Sequence, residues 1–339
     1  MKIKREALIS ALKKVEPALE GKNMLEGIAE FAFDEKSIIS FNDILLVQYP
    51  FKTDLKCSVP ANEFYKLLDS ISDNEIDLSL VKGKLMLRAK NIKAQINCNI
   101  VSDKIEDVKK KILFTGVKSI LPTDFREGLD ACLFSAAVDT SKPILNCLYV
   151  NGRKIISSDN IRISEYTLKK KVKDNFLIPR KAVKEIVNFD IKKYWLANNM
   201  IHFDTSEGAI VSSILHFGEY YKTEKFFDID GKDFIFPKDM KKMLPAVNVM
   251  ADDAFLESNR FKFIEIEIEN NRLTCTGRKD IGSVTTEFKV KTKIKNKVSF
   301  KIRIEVFRQI LEYTNKVKIG DRKVLFELDN FKHVAALIR

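Results

Sequence analysis

The chain has 339 residues, of which 45% are hydrophobic and 31% are charged, so it can fill the cores of two or three soluble domains. Its 59 lysines and arginines outnumber its 47 aspartates and glutamates, which gives a formal net charge of +12. A basic balance of this size is typical of proteins that meet nucleic acid or another polyanion, and it is equally compatible with a lysine-rich solvated surface.

The sequence has no feature typical of a membrane or secreted protein. No apolar run approaches the length of a membrane-spanning helix, and the structured pattern at the N-terminus predicts no signal peptide. The cysteines are odd in number and form no Cys-x-x-Cys pair. We therefore expect reduced thiols and a cytoplasmic location.

One helical pattern recurs six times, roughly every 60 residues, as in chains built from a duplicated unit. From an apolar anchor, further apolar residues follow five, eight and nine positions later, on one face of a helix. Gly128 is the one residue at these positions that is not apolar. In the clearest copy, residues 178–187, Pro179 is expected in the first helical turn. The six anchors are Ile3, Val59, Ile120, Ile178, Ile235 and Ile302.

Between the helices, apolar and polar residues alternate, which predicts half-buried strands. The clearest strands are predicted at residues 84–89, 92–100, 264–269, 272–276 and 283–290. Asn270 and Asn271 separate two of them and predict a hairpin turn. Single helices followed by antiparallel strands predict an α+β fold, with the helices on one face of antiparallel sheets.

Pairs of helices define three predicted domains, at residues 1–112, 113–229 and 230–339. Lysine-rich segments near residues 109–111 and 221–225 are interpreted as solvated linkers between them.

No motif for catalysis, for a cofactor or for a metal is present. Both glycine-rich phosphate-binding patterns are absent. The histidines, His202, His216 and His333, lack metal-ligand spacing and are expected to be packed or surface residues. Three glutamates on one strand face are expected to be solvated: Glu265, Glu267 and Glu269. The sequence predicts a protein that is not an enzyme, without metal or cofactor.

Six short motifs stand out along the chain. They are REALISALKKV at 5–15, SVPA at 58–61, LNCLY at 145–149, SDNIRI at 158–163, LIPRK at 177–181 and HVAALIR at 333–339. Together they resemble helix starts, a strand, a loop and the tail of the bacterial sliding clamp, the beta subunit of replicative DNA polymerase. The chain departs from that family at Asn62 and Glu63, where basic residues are usual, and at Asn160 and Ile161, which replace Gly-His. Its tail lacks the family's proline and its net charge is basic, which indicates a divergent clamp such as that of a phage or mobile element.

The resemblance implies the DNA-clamp fold, a closed ring around double-stranded DNA with helices lining the hole and sheets outside. Six helices per chain then require a homodimer joined head to tail, third domain to first. We expect the strand near residues 96–100 to pair with one near residues 253–258 of the other copy, because an open arc leaves sheet edges at its ends. The ring would tether a DNA polymerase topologically, be placed by a clamp loader, and need no membrane.

The sides of the helices that lie off the apolar face carry a modest excess of basic residues. A ring that slides requires many weak phosphate contacts and no base reading. The predicted DNA-binding residues are Lys22, Lys66, Arg126, Arg180, Lys181, Lys184, Lys238, Lys241, Lys242 and Arg308.

The resemblance also implies a pocket that takes short linear peptides from the polymerase and the loader. An apolar strand end beside a loop carrying an arginine would form an apolar site with one polar group. The alternative is that residues 334–338 are simply the last core strand. The predicted pocket residues are Leu145, Ser158, Asn160, Arg162, Ile163, Val334, Ala336 and Ile338.

Two other functions remain open. A protein of the same fold could bind DNA as an open monomer through a basic face, and the net charge of +12 supports that reading. An enzyme such as a nuclease or a transferase is the third reading, and a metal-dependent activity would reveal it.

Overall fold

The computed structural model describes residues 1–19, 29–100, 110, 116–256, 259–292, 294 and 296–338. The chain divides into two compact units. The first unit comprises Met1–Glu127 and Lys171–Phe217, and the second comprises Gly128–Lys170 and Gly218–Arg339. The division into three domains at residues 112 and 229 stays a prediction.

Six helices lie complete within the described residues, one at each of the six predicted repeats. They are α1 (Arg5–Val15), α2 (Ala61–Ser70), α3 (Phe125–Leu133), α4 (Arg180–Ile186), α5 (Met240–Val249) and α6 (Ile304–Ile310). The residue five positions after each anchor is buried in every copy: Leu8, Phe64, Phe125, Val183, Met240 and Phe307. The predicted apolar face is therefore the face that packs against the sheets.

The anchors themselves lie in the strands that precede the helices. Pro179 accordingly ends a strand in extended conformation, and α4 begins one residue later than predicted, at Arg180. Ile120 is exposed, and the neighbouring Leu121 is buried in its place. Four of the helices thus follow directly on a strand, while four residues separate α3 from β10 and α5 from β18, and a buried apolar residue lies close to each junction.

The strands, in chain order, are β1 (Lys2–Lys4), β2 (Glu30–Asp34), β3 (Ser37–Phe41), β4 (Leu45–Pro50), β5 (Lys56–Pro60), β6 (Glu75–Val81), β7 (Lys84–Arg88), β8 (Lys93–Asn97), β9 (Asn99–Ile100), β10 (Ser119–Ile120), β11 (Cys147–Asn151), β12 (Lys154–Ser158), β13 (Arg162–Thr167), β14 (Phe176–Pro179), β15 (Ile191–Ala197), β16 (Met200–Thr205), β17 (Ile210–Ile214), β18 (Lys232–Ile235), β19 (Asp252–Leu256), β20 (Asn259–Glu269), β21 (Arg272–Lys279), β22 (Gly282–Lys289), β23 (Val298–Arg303), β24 (Lys316–Ile319), β25 (Lys323–Leu328) and β26 (Phe331–Ala336).

In the first unit, four strands form a sheet in the order β1-β6-β7-β8, and nine form a second in the order β10-β15-β16-β17-β4-β3-β2-β5-β9. The alternation predicted for β7 is present, since Leu85 and Leu87 are buried while Lys84 and Arg88 are exposed. The buried side chains of these sheets meet the apolar faces of the helices, as when the ring of Phe33 on β2 packs edge-on against Phe64 of α2 at 6.0 Å.

In the second unit, seven strands follow one another in the order β11-β12-β13-β26-β25-β24-β18. A second sheet has five strands: four follow one another in the order β19-β20-β21-β22, and β23 also pairs with β20. Asn270 and Asn271 connect β20 to β21 with φ of 50° and 60°, the left-handed pair that a tight hairpin requires. On β20 the three isoleucines are buried, and the alternating glutamates lie on the other face, where Lys297 pairs with Glu267 at 2.6 Å. The hairpin is present as predicted, whereas of the three glutamates only Glu269 is fully exposed and Glu265 and Glu267 are half-buried.

Gly128 is the exception to the apolar pattern because α3 approaches its sheet closely at that point. A Cβ at Gly128 would lie 2.8 Å from Tyr166 Cδ1 and 2.9 Å from Ile155 Cδ1, inside van der Waals contact. Both side chains are themselves buried, so neither can move aside freely.

We therefore expect Gly128→Val to lower the free energy of unfolding by about 1–3 kcal/mol, the usual cost of overpacking a core. Urea denaturation followed by circular dichroism measures the change. Glu127→Val places the same side chain at the exposed neighbouring position of α3 and should change stability by less than about 0.5 kcal/mol. Equal effects of the two substitutions would show that the close approach is not tight.

Candidate functional site

The predicted DNA-binding residues lie on the solvent-facing sides of the helices or just before them. Arg180 is half-buried at the start of α4, and Lys22 lies outside the described residues. The others are exposed: Lys66, Arg126, Lys181, Lys184, Lys238, Lys241, Lys242 and Arg308.

Three of these lysines already have carboxylate partners. Lys184 lies 3.6 Å from Glu185, Lys242 lies 3.2 Å from Asp239, and Lys241 pairs with Glu312. Five cations make no ion pair within the described part of the chain: Lys66, Arg126, Lys181, Lys238 and Arg308. These five have the most charge available for a polyanion.

The predicted pocket residues come together around one cavity of about 750 Å³ in the second unit. A volume of this size is typical of sites that take small molecules or short peptides. Seven of the eight predicted residues line it: Leu145, Ser158, Asn160, Arg162, Ile163, Val334 and Ala336. Their role in binding stays a prediction.

Ile338, the eighth predicted residue, is not among the residues that line the cavity. Its backbone pairs instead with Lys301 on β23, through hydrogen bonds of 3.0 and 2.7 Å. Leu337 before it is buried and donates its N–H to the carbonyl of Arg322 at 2.9 Å. The residues after β26 therefore cross from one sheet of the unit to the other, and so leave the cavity.

The turn between β12 and β13 is shaped by Asp159. Its Oδ1 accepts hydrogen bonds from the N–H groups of Ile161 and Arg162, both at 3.1 Å. Asn160, which stands where the resembling family has glycine, adopts φ of 75°. Asparagine is among the few residues that tolerate this left-handed conformation, so the turn does not require glycine at this position.

Arg162 is held from three sides, with only 12% of its side chain exposed. Its Nε donates to Asp159 Oδ2 at 3.0 Å and its Nη1 donates to Gln309 Oε1 at 2.7 Å. The guanidinium also lies over the ring of Phe134, 5.3 Å from the ring centre. Burial lowers the pKa of Arg162, and Asp159 opposes that effect, so the side chain stays charged.

The sequence did not point to the remaining walls of the cavity. One wall comes from the segment at 221–230, of which residues 221–225 were interpreted as a linker, and it includes the exposed rings of Tyr221 and Phe226. Lys323 fixes this segment by donating to the carbonyls of Phe226 at 3.0 Å and of Asp228 at 2.6 Å. The aromatic residues clustered in this segment were the one signal in the sequence that it packs against something, because a solvated linker is expected to be polar.

His202 and His333 are packed in the interior, as expected. Ser164 and His333 are hydrogen-bonded at 2.9 Å in the core behind the cavity, and burial holds the pKa of His333 well below its usual value. Burial also lowers the pKa of His202 to about 4. Within the described residues, no group of three or more His, Cys, Asp or Glu could hold a metal ion.

None of the helices in the described part of the chain is both long and apolar enough to cross a membrane.

No protein-family model matches the chain, and a search of the curated proteins finds no match by sequence. Solved structures match over its full length. The sliding clamp (DNA polymerase III subunit beta) from Bartonella birtlesii, solved bound to griselimycin, has a TM-score of 0.84 and 15% identity. The beta chain of DNA polymerase III from Streptococcus pneumoniae has a TM-score of 0.83 and 17% identity, and the beta subunit from Pseudomonas aeruginosa has 0.82 and 16%.

Each of these matches covers 100% of this chain and 99% of the other. Agreement over the full length of both chains, at this level of sequence identity, is agreement in fold. The mixed helices and antiparallel sheets of this chain are therefore those of the DNA-clamp fold found in the beta subunits of DNA polymerase III.

Proposed function

We propose that this protein is a DNA sliding clamp, a processivity factor that encircles double-stranded DNA as a head-to-tail homodimer and tethers a DNA polymerase. The observation that carries the proposal is the agreement in fold with beta sliding clamps over the whole chain. Each of the proposed domains, 1–112, 113–229 and 230–339, then contributes two of the six helices to the hole. The action is topological, so it requires no catalytic residue, and its place is the cytoplasm beside the DNA.

The exposed cations on the helices support the proposed contact with DNA. Lysine side chains on flexible stems suit a ring that must move, because each contact with a phosphate is weak and independent of sequence. Ion-paired lysines must first give up their carboxylate partners, so the unpaired cations should contribute most.

We expect Lys181→Gln combined with Lys238→Gln to weaken binding to duplex DNA of any sequence. Each lost phosphate contact should reduce the slope of log affinity against log salt by about 0.9. Fluorescence anisotropy with a labelled duplex at several salt concentrations measures both quantities.

The matched control is Lys84→Gln with Lys301→Gln, which removes the same charge at exposed positions of strands β7 and β23. This pair should leave the slope unchanged. If both double variants lose affinity equally, net charge alone drives binding and the helices have no special role.

The sheet edges support the proposed homodimer. Within the described residues, β8 and β22 each end a sheet with one side unpaired. Near β22, against which α5 packs, Val249 and Ile281 are exposed, as expected of a surface that a second copy covers. We prefer β22 over the segment at 253–258 as the partner edge because β22 offers eight residues and β19 offers five.

Along β8, backbone amides alternate between bonding to β7 and pointing to the open edge, so the amides that a second copy could bond to can be identified. Ala89 and Ile92 exchange both backbone hydrogen bonds at the start of the β7–β8 hairpin, and Cys98 donates to Gly83 at 3.1 Å at its end. Every second residue between Ile92 and Cys98 therefore bonds inward to β7. Gln95 lies between these positions, so its N–H points to the open edge.

We expect Gln95→Pro to yield a folded monomer, because it removes an outward N–H and no bond to β7. Sedimentation measures the mass, and circular dichroism reports the fold. Gln95→Ala is the control and should remain dimeric, while Ile96→Pro should also destabilise the β7–β8 pairing. If Gln95→Pro is still a dimer by sedimentation, β8 is not part of the interface between the two copies.

The open monomer makes a different prediction about DNA topology. A closed ring is retained on circular DNA and slides off linear ends, whereas a monomer held by charge leaves both at the same rate. Equal retention on the two forms would favour the monomer, and a metal-dependent activity in a nuclease assay would favour an enzyme.

The cavity supports the proposed binding of linear peptides from a polymerase and a clamp loader. It combines apolar walls, among them Ile163 and Val334, with the fixed cation of Arg162. Ala336 is exposed at the cavity and its N–H is already bonded to Ile161 at 2.9 Å, so a new side chain there need not disturb β26.

We expect Ala336→Glu to reduce peptide affinity at least about tenfold, because a larger and charged side chain takes the space that apolar side chains of a peptide would fill. The probe is a fluorescein-labelled pentapeptide with leucine and phenylalanine side chains, followed by anisotropy. Lys332→Glu, at an exposed position of the same strand that does not line the cavity, is the control and should bind normally. Undiminished binding to Ala336→Glu would rule out this cavity as the peptide site.

A further inference from the structure

Arg162 belongs at once to the cavity and to the contacts of α6. It lines the cavity beside the apolar walls. Its Nη1 reaches Gln309 on α6 at 2.7 Å, next to Arg308, one of the unpaired cations. One side chain thus contacts the proposed peptide site and a helix proposed to face DNA.

The guanidinium makes these contacts in a way that only arginine can. Its planar fork sends one N–H to Asp159 and another to Gln309, in two different directions. A lysine ammonium is a point charge on a flexible stem and cannot hold both partners in that fixed geometry. Because the side chain is largely buried, these hydrogen bonds are sensitive to water in the adjoining cavity.

A second set of contacts leads from Arg162 to the far end of α6. The ring of Phe134, beneath the guanidinium, stacks on Tyr313 with centres 5.7 Å apart and planes at 19°. Tyr313 follows α6 and lines a smaller cavity of about 240 Å³ together with Lys238 and Lys241. Arg162 is therefore connected to α6 directly through Gln309 and by stacking through Phe134.

We propose that Arg162 is a positioning residue that couples occupancy of the cavity to the order of α6, and through α6 to the strength of DNA contact. An occupant excludes water from Arg162 and strengthens its hydrogen bonds to Asp159 and Gln309. A more firmly held α6 has less motion to lose when DNA binds. The coupling is reciprocal, so DNA strengthens peptide binding by the same factor.

The first test uses neither DNA nor peptide. Ala336→Phe fills part of the cavity covalently, and amide hydrogen exchange measures the order of α6. Exchange in α6 should slow by about fivefold or more in the otherwise wild-type protein, and should not slow when Gln309→Met is also present. Lys332→Phe, on the same strand outside the cavity, should leave α6 unchanged.

Gln309→Met keeps the shape of the side chain and removes the acceptor, while the pair between Arg162 and Asp159 remains. Arg162→Lys is the second variant and should abolish the slowing in the same way. No slowing of α6 by Ala336→Phe, or equal slowing with and without Gln309→Met, would overturn the proposal. If Ala336→Phe does not fold, saturation of the cavity with the labelled pentapeptide replaces it in the exchange measurement.

The second test rests on the proposed function. The pentapeptide should raise affinity for a short duplex by about fivefold or more in the wild type, and not at all in Gln309→Met. If peptide and DNA bind independently in the wild type, the coupling is absent although the protein is still a clamp. If Ala336→Glu and the lysine variants leave both ligands bound normally, the proposed sites are wrong, whereas the exchange measurement still decides whether the cavity and α6 are linked.

Discussion

Each compact unit of this chain is built from two separate segments, which long-range antiparallel strand pairing joins. In the first unit β4 pairs with β17, with Leu46 opposite Ser212. In the second unit β13 pairs with β26, with Ile163 opposite Val334. Long loops make such pairings costly to close, and the apolar area buried on the sheets must offset that cost. The cavity is built on the β13–β26 pair, so the proposed peptide site depends on the same pairing.

The helices could be predicted from sequence because amphipathic periodicity reports which face of a helix is buried. The same periodicity says little about where a helix begins. Ile235 satisfied the spacing as an anchor, yet it is exposed, and Phe236 next to it takes the core position. The sequence pattern does not distinguish these two neighbours, because the pairing of β18 with β24 decides which of their side chains faces the core. Gly128 looked like a defect in the pattern and is explained only by the approach of α3 to its sheet.

The cavity could be predicted in part because its loop carries a recognisable motif. The turn after β12 forms without glycine, since Asn160 adopts the left-handed backbone conformation with φ of 75°. The wall from residues 221–230 was missed, because an irregular segment has no periodicity to indicate which side chains face inward and its aromatic residues were the one available signal. The pairing of Lys241 with Glu312 was equally hidden, since the two residues are far apart in sequence and meet only when α5 and α6 pack together.

The place of β26 in its sheet has a consequence during synthesis. Strand β13 leaves the ribosome roughly 170 residues before its neighbour β26 is made, which at typical rates is a delay of about 10–30 s. For that time the nascent chain presents an open β-edge with apolar side chains, the kind of surface that chaperones bind and that aggregates when it is left uncovered. A chain that ends before residue 331 lacks β26 and with it Val334 and Ala336, so it cannot form the cavity.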